Sequence, residues 1–537
     1  MTIPVIDAQQ AASWDQRARV TAKIPSRVLM ESAGRGIAHV IGRELRARRA
    51  TLGPAGLLPG GAGGGVIVAC GPGNNGGDGW VVARALQATG LSVWAADAGG
   101  KRSPDCAANR ALAMASGVEL LDPDEPWPEA TLLVDALLGT GASGTPRGAV
   151  GALAERLKRH GAAVVAVDGP TGLDLSSGAP SQPVPAALTV TFGGLRRGHL
   201  LGREWCGTLV VLDIGFPVAE REWPRFVDDR LAASWLPGFA VRMHKGERGR
   251  VLVIGGDRGM AGAGLHAARA ALEAGAGLVK LAAHEASVAA AQAALPDVLT
   301  VVSSLGPTVE PELAEAISWA DAVILGPGLG RGKQRTDLVC AVLDAATKAV
   351  VLDADALQVG VDALRRGRAP RVLTPHAGEF HAAFPKLGKL LEEDRFAAAQ
   401  QAAKLVADNS SPAPSALSSA PSSALLLKGV PTIVAPAHGT TYVIGSGNPA
   451  LATGGSGDLL AGFVGAFLAR GLAPAEAAAA GAQVLGRAAD IAAEQLTARA
   501  TRPADVLAAL PELWRRWADL PLPMPPVLLR LETPLLV

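Results

Sequence analysis

The sequence predicts an α/β protein built from two successive parallel-sheet domains. Three observations carry this. Short valine-rich runs bounded by glycine or proline recur along both halves, helical stretches separate them, and 537 residues exceed the length over which one hydrophobic core keeps growing.

In the first half the runs begin at Gly65, Leu91, Thr131, Ala162, Leu188 and Thr208. Their near-continuous apolarity suits strands buried on both faces, and the helical patterns at 79–90 and 150–160 supply crossovers for a three-layer domain. A second series begins at Arg250, Leu278, Ala320, Ala349, Arg371, Leu425 and Thr432, so the second half is α/β again. Between them, Phe216 to Gly238 mixes prolines, tryptophans and charges without strand or helix period. The expected division is a first domain over 1–215, a linker over 216–238 and a second domain over 239–520. Residues 408–423 are Ser/Pro/Ala low complexity and read as a disordered surface insertion, because such a segment has too little apolar surface for a core. No chemistry is assigned to it, to the glycine-rich loop at 59–65 or to the proline-rich tail from Pro521.

Lysine plus arginine (50) balances aspartate plus glutamate (49), which argues against a nucleic-acid or membrane-surface partner. The four cysteines, Cys70, Cys106, Cys206 and Cys340, are widely spaced and fit a reducing compartment better than a disulfide framework. No signal-peptide pattern and no apolar run of membrane-spanning length is visible, so a cytoplasmic protein is expected.

The chemistry is written in glycine tracts. Thr453-Gly454-Gly455-Ser456-Gly457-Asp458 precedes an apolar, helix-like stretch, so bare N–H groups at a helix start would gather an anion beside one carboxylate. That suits phosphoryl handling; the plainer reading is a glycine-rich turn capping a buried helix. Upstream, Gly71 to Gly79 follows a strand and leads to a helix expected near Trp80, and Gly71, Gly73 and Gly76 satisfy G-x-G-x-x-G. With Asp97 at the spacing of a ribose-binding acid, an NAD-dependent oxidoreductase competes. Against it, Asp78 would put a carboxylate in the helix's first turn, where a pyrophosphate belongs. At later strand ends come Asp135, the loop Gly139-Thr140-Gly141-Ala142-Ser143-Gly144-Thr145, and Asp168 followed by Thr171. If Asn75, Asp135 and Thr171 converge, one carboxylate among neutral oxygens favours a weakly held cation such as K⁺. Alternatively Asp135 and Asp168 merely cap their turns.

Five motifs together, Met30-Glu31-Ser32-Ala33-Gly34, Gly73-Asn74-Asn75-Gly76-Gly77-Asp78-Gly79, Val134 to Gly141, Val167 to Asp174 and Asp213-Ile214-Gly215, closely resemble the NAD(P)H-hydrate epimerase domain of the YjeF amino-terminal type. The resemblance implies a Rossmann-like three-layer domain in which Asn74, Asn75, Gly76, Gly77, Asp78, residues Gly139 to Thr145 and Asp168 contact the hydrated nicotinamide nucleotide. It implies K⁺ on Asn75, Asp135 and Thr171, and Asp168 is the acid/base candidate. Two departures stand out: Gly169-Pro170-Thr171 replaces the family's Ile-Pro-Ser, and Arg196 stands where a lysine is usual.

The second half carries His244-Lys245-Gly246, Gly255-Gly256-Asp257, Gly326-Pro327-Gly328-Leu329-Gly330, Asp353-Ala354-Asp355, Thr374 to Glu379 and Leu427-Lys428-Gly429. No P-loop is present, since Pro327 and Gln334 break the nearest candidate. Singly, His376 reads as a turn-stabilising histidine and Lys428 as a solvated strand end. Together the set resembles ADP/ATP-dependent NAD(P)H-hydrate dehydratase of the YjeF carboxy-terminal type, across roughly 240–500, which implies a ribokinase-like α/β domain. By that resemblance Ala263, Gly328, His376 and Asp458 contact the hydrate, Lys428, Gly429, Val430, Pro431, Thr432 and Gly457 hold ADP or ATP, and Mg²⁺ accompanies the nucleotide. Ala261 departs from the family's usual proline.

The implied activity is repair of the hydrated cofactors NADHX and NADPHX: exchange of R and S epimers in the first half, and nucleotide-driven dehydration of the S form at Asp458 in the second. A homo-oligomer is expected. The competing readings are an ordinary small-molecule kinase for the second half, and an oxidoreductase or a non-catalytic binding module for the first.

Overall fold

The computed structural model describes residues 2–52, 65–407 and 423–535, so the 59–64 loop and residues 408–422 of the insertion lie outside the described residues. The chain forms two compact units, the first essentially 3–223 with 522–533, the second 224–521.

In the first unit, β1 (Ile3–Ile6), β2 (Gly65–Cys70), β3 (Val93–Asp97), β4 (Glu119–Leu120), β5 (Ala130–Ala136), β6 (Ala163–Val167), β7 (Leu188–Phe192), β8 (Leu195–Arg196) and β9 (Thr208–Leu212) appear in chain order. Strands β9-β7-β6-β5-β2-β3-β4 make one parallel sheet, while β1 pairs with β8. Period-2 alternation sorts the side chains: Val66, Val68 and Cys70 enter one core with Val134 and Val165, whereas Ile67 and Ala69 enter another with Leu133 and Val164. Both faces are thus covered, giving the three layers expected.

Two expectations are corrected. The helix expected near Trp80 runs Asn74–Gln87, so Asn74, Asn75 and Gly76 are its first three residues and Asp78 lies beyond its first turn. Tertiary packing overrides poor helix propensity here: a Cβ at Gly76 would stand 1.8 Å from the Gly71 carbonyl, an approach only glycine permits. The 216–238 linker is half folded, with β10 (Arg225–Phe226) and the Asp229–Trp235 helix belonging to the second unit, where Val227 and Ala232 are buried. The tail from Pro521 also has structure; its strand runs antiparallel to β9 and closes that sheet edge.

The second unit continues with β11 (Arg250–Ile254), β12 (Leu278–Ala283), β13 (Leu299–Val302), β14 (Ala322–Leu325), β15 (Ala349–Leu352), β16 (Arg371–Leu373), β17 (Ala424–Leu427), β18 (Thr432–Pro436) and β19 (Tyr442–Ile444), and the tail strand is β20 (Val527–Leu531). Order β13-β12-β11-β14-β15-β16-β17 is parallel; β18 and β19 then add antiparallel. The helices Ser456–Ala469 and Pro474–Leu496 form its core, and Leu459 to Leu468 are buried throughout. A Cβ on Gly462 would lie 2.4 Å from the Ala267 carbonyl, so glycine lets the Ser456–Ala469 helix close on the Ala261–Glu273 helix. Among the described residues no helix is long and apolar enough to cross a membrane.

Arg203 reinforces β20 by donating to the carbonyls of Leu531 (3.2 Å) and Glu532 (2.7 Å). Ending the chain after Pro521 removes these bonds and the burial of Leu529. The first unit should melt about 5 °C lower and the Leu209 to Leu212 amides exchange faster, while the second unit's melting stays unchanged. Differential scanning calorimetry with amide exchange reads both.

Candidate functional site

Two polar clusters sit at strand ends, one in each unit. In the first, Asp135 ends β5 fully buried and accepts from the Thr171 N–H (2.8 Å), the Thr171 hydroxyl (2.8 Å) and the Leu137 N–H (3.2 Å). Burial nevertheless pushes its carboxyl up to about 6. The Thr171 hydroxyl also accepts from the Leu138 N–H at 3.0 Å, which fastens the 138–145 loop to it.

Asp168 follows β6 with φ 63°, in the left-handed region. One carboxylate oxygen accepts from the Thr140 N–H (2.7 Å) and hydroxyl (2.6 Å); the other accepts from Thr191 (3.0 Å) and faces Arg196 at 3.4 Å. Burial opposes its charge, but Arg196 and the Thr140 donors outweigh burial and hold the carboxyl below its usual range. Gly139 lies between Asn75 and Asp168: a Cβ there would be 3.1 Å from the Asn75 Oδ1 and 2.9 Å from the Asp168 Oδ2. Asn75 carries a buried amide whose oxygen and nitrogen have no partner, a costly arrangement that marks a place for a ligand. Asp78 behaves opposite to Asp168, since burial first, then Asp168 and Asp15, push its carboxyl well above its usual range.

The structure therefore unites Asn75, Gly139, Thr140 and Asp168, and pairs Asp135 with Thr171; the adjacent Leu138, which donates to Thr171, and Gly139, beside Asn75, join the two groups. Asn74 starts the helix and accepts from Ser103 at 2.8 Å, Gly76 and Gly77 are buried packing positions, and Gly141, Ser143, Gly144 and Thr145 are exposed, with Ala142 half-buried. Asp97 is taken by Arg102 (2.7 Å) and Arg110 (2.7 Å), which leaves it no role as a ribose-binding acid.

In the second unit Lys428, at the end of β17, is enclosed rather than solvated. Its ammonium lies 3.1 Å from Asp353 and 3.4 Å from Glu379, and a Cβ on Gly457 would be 3.5 Å from it. Burial opposes the ammonium, but Asp353 and Glu379 outweigh it and raise its pKa. Asp353 also accepts from Thr374 at 2.6 Å. The Ser456–Ala469 helix starts over this group behind Gly455 at φ 97°, so its first N–H groups lack helical partners and Asp458 stands third. Burial, then Asp353, lifts the Asp458 carboxyl to about 7, with Lys428 opposing.

His376 caps the Ala377–Ala383 helix, accepting from the Gly378 N–H at 3.0 Å, and its other ring nitrogen faces the Glu379 carboxylate at 3.5 Å on a largely exposed side chain. Gly328 has φ 60°, and Ala263 lies beside it, 3.1 Å from where its Cβ would be. The Gly328 carbonyl accepts from Asp257 at 2.7 Å, so the two glycine-rich loops close on each other. At Gly429 the chain turns with φ 147°, its following Val430 exposed and the Thr432 hydroxyl donating back to the Gly429 carbonyl at 3.0 Å. Asp353, Glu379, Thr191 and His199 are residues that sequence reasoning did not assign. The first two stand inside motifs already noted; the others carried no signal.

Two family models match the chain: NAD(P)H-hydrate dehydratase over residues 251–512 and YjeF-related protein N-terminus over 26–198. The bifunctional NAD(P)H-hydrate repair enzyme Nnr of Salinibacter ruber is 36% identical, across 91% of this chain and 92% of that protein. The chain belongs to the bifunctional NAD(P)H-hydrate repair enzyme family. The Escherichia coli member is 35% identical over 83% of this chain and 84% of its own length. The Bacillus subtilis ADP/ATP-dependent NAD(P)H-hydrate dehydratase, co-crystallised with ATP/Mg²⁺, aligns with 25% identity and a TM-score of 0.47 over 56% of this chain and all of that one.

The environment of Asp458 has a consequence for stability. Because the folded chain holds this proton up to about 7, against about 4 unfolded, ionising it costs stability as pH rises between those values. Asp458→Asn should therefore be more stable than the natural chain at pH 8, by at most about 4 kcal/mol, with the gain vanishing toward pH 4. Thermal melts across that range check the sign.

Proposed function

We propose that the chain repairs NADHX and NADPHX, exchanging their R and S epimers in the first unit and dehydrating the S form with ADP or ATP in the second. One observation carries the second activity: a carboxyl poised at about 7, Asp458, beside the buried Lys428 ammonium at a helix amino terminus. Hydroxide is a poor leaving group, so the C6 hydroxyl of the hydrate is first phosphorylated. Asp458 takes the hydroxyl proton as the oxygen attacks the terminal phosphorus, while the amides from Gly455 to Gly457 and Lys428 balance the charge on the phosphoryl oxygens. The C6–O bond then breaks, phosphate leaves, and loss of the C5 proton restores the ring double bond. Ala263, Gly328 and His376 line the hydrate side, and residues Lys428 to Thr432 with Gly457 the nucleotide side. Mg²⁺ would accompany the nucleotide, held by its phosphates.

For epimer exchange, the ring nitrogen's electron pair expels the C6 hydroxyl as water, and water returns to either face of the planar cation. The two carboxyls divide the labour: protonated Asp78 supplies the leaving proton, and anionic Asp168 faces the cation and accepts a proton from the returning water. In the opposite direction of exchange the roles reverse, Asp168 giving up the proton it gained and Asp78 accepting one, so Asp168 serves as both acid and base. K⁺ would be held by the unpartnered Asn75 amide oxygen, the Asp135 carboxylate and the Thr171 hydroxyl, hard oxygen donors of the kind it prefers. Bound there, K⁺ supplies a fixed positive charge near the nucleotide.

Incubating the chain with racemic NADHX and ATP should restore the reduced-nicotinamide absorbance with one phosphate released per turnover; a stable phosphorylated product would mean an ordinary kinase. Asp458→Ala should abolish that recovery, by at least about a hundredfold, while epimer exchange followed by chromatography continues. Asn75→Ala should remove any stimulation of epimer exchange by K⁺ over Na⁺.

A further inference from the structure

His199 is completely buried, and the chemistry above makes no use of it. It lies in the short Arg197–Leu201 helix, and both its ring nitrogens are engaged. Nδ1 accepts the Arg196 N–H at 3.0 Å, which requires the proton on Nε2, and Nε2 donates to the Asp168 carbonyl at 2.7 Å. The same two residues meet again through their side chains. Arg196 donates through Nε to the Thr140 hydroxyl at 3.0 Å, Thr140 donates to Asp168 at 2.6 Å, and the Arg196 guanidinium faces the other Asp168 oxygen at 3.4 Å. A closed ring therefore runs from the imidazole through Arg196 and Thr140 to Asp168 and back.

This ring explains the backbone of Asp168. A left-handed conformation at a non-glycine residue costs about 1–3 kcal/mol and persists where its surroundings over-determine it. The Asp168 N–H is already committed to Val190 at 2.8 Å and the next N–H to Val167 at 2.7 Å, so its carbonyl is the group left to be fixed, and His199 fixes it. Burial keeps the imidazole neutral, its pKa pushed down to about 4, so the bond persists across the working pH range; Asp168, Arg196 and Arg203 are the charged groups around it.

We propose that His199 is a positioning residue for epimer exchange: its two ring nitrogens lock the main chains of Asp168 and Arg196 and thereby aim the Asp168 carboxylate into the site. The proposal rests on the assignment of Asp168 to that reaction.

The test uses the full-length chain. His199→Asn keeps an acceptor at the Nδ1 position for the Arg196 N–H but does not reach the Asp168 carbonyl, whereas His199→Gln places an amide donor at the Nε2 position. Epimer exchange by the Asn variant should fall on the order of tenfold to a hundredfold, and the Gln variant should recover most of it. Nucleotide-driven dehydration of the S epimer by either variant should match the natural chain. Equal losses in both variants, in step with their melting temperatures, would reduce His199 to a packing residue. Retained exchange in the Asn variant, with Asp168→Asn inactive, would overturn the positioning role alone; an active Asp168→Asn would instead sink the assignment of Asp168. Independently of activity, ring ¹⁵N spectra, assigned by difference against the Gln variant, should show Nε2–H without titration from about pH 5.5 to about pH 8. A protonated Nδ1 or a titrating ring contradicts the geometry.

Discussion

Burying a carboxylate at the end of a parallel strand obliges the fold to bring donors to it, and both clusters are arranged around that obligation. Asp135 lies at the end of a central strand, Asp168 and Asp353 directly after one, and each receives a threonine hydroxyl: Thr171, Thr140 and Thr374. Threonine donates one hydrogen bond without adding charge, so it favours the ionised form yet at Asp135 does not outweigh burial by itself. What decides the protonation state is the cation. Asp168 has Arg196 and stays ionised; Asp135 lacks one and is lifted to about 6.

The same logic separates acids from bases. Asp78 and Asp458 are carboxyls placed near other carboxylates, Asp168 and Asp353 respectively, and both are raised by burial and by that neighbour. Each cluster thus sets a second carboxyl, raised by burial and by its neighbour, beside a carboxylate held by donors. Proton transfer needs such a division, because a group that always holds or never holds its proton transfers none.

Much of this was legible in the sequence, for identifiable reasons. Strands buried on both faces leave continuous apolar runs, and β2, β5, β6 and β11 fall where those runs are. Motif glycines were legible as well, and Gly76 additionally serves close packing against Gly71. The Asn74–Gln87 helix start was hidden because its first residues favour turns and only the surrounding contacts make them helical. The Asp229–Trp235 helix and β20 are short and amphipathic, with too few periods to register. Residues acting by long-range hydrogen bonds were the least visible: nothing local at His199 points to Asp168, 31 positions away.

The Asp458 site also sets stability against function. Lifting that carboxyl to about 7 requires burying it near Asp353, which destabilises the folded chain wherever the carboxyl is ionised. Lys428 limits that cost, because its ammonium offsets part of the paired negative charge while facing Gly457. A better-satisfied Asp458 would make a more stable unit and a weaker base, since every donor added to its ionised form lowers its affinity for the hydroxyl proton. On the proposed role of Asp458 as base, packing around it can therefore be improved without loss of activity only where no further donor reaches the carboxylate.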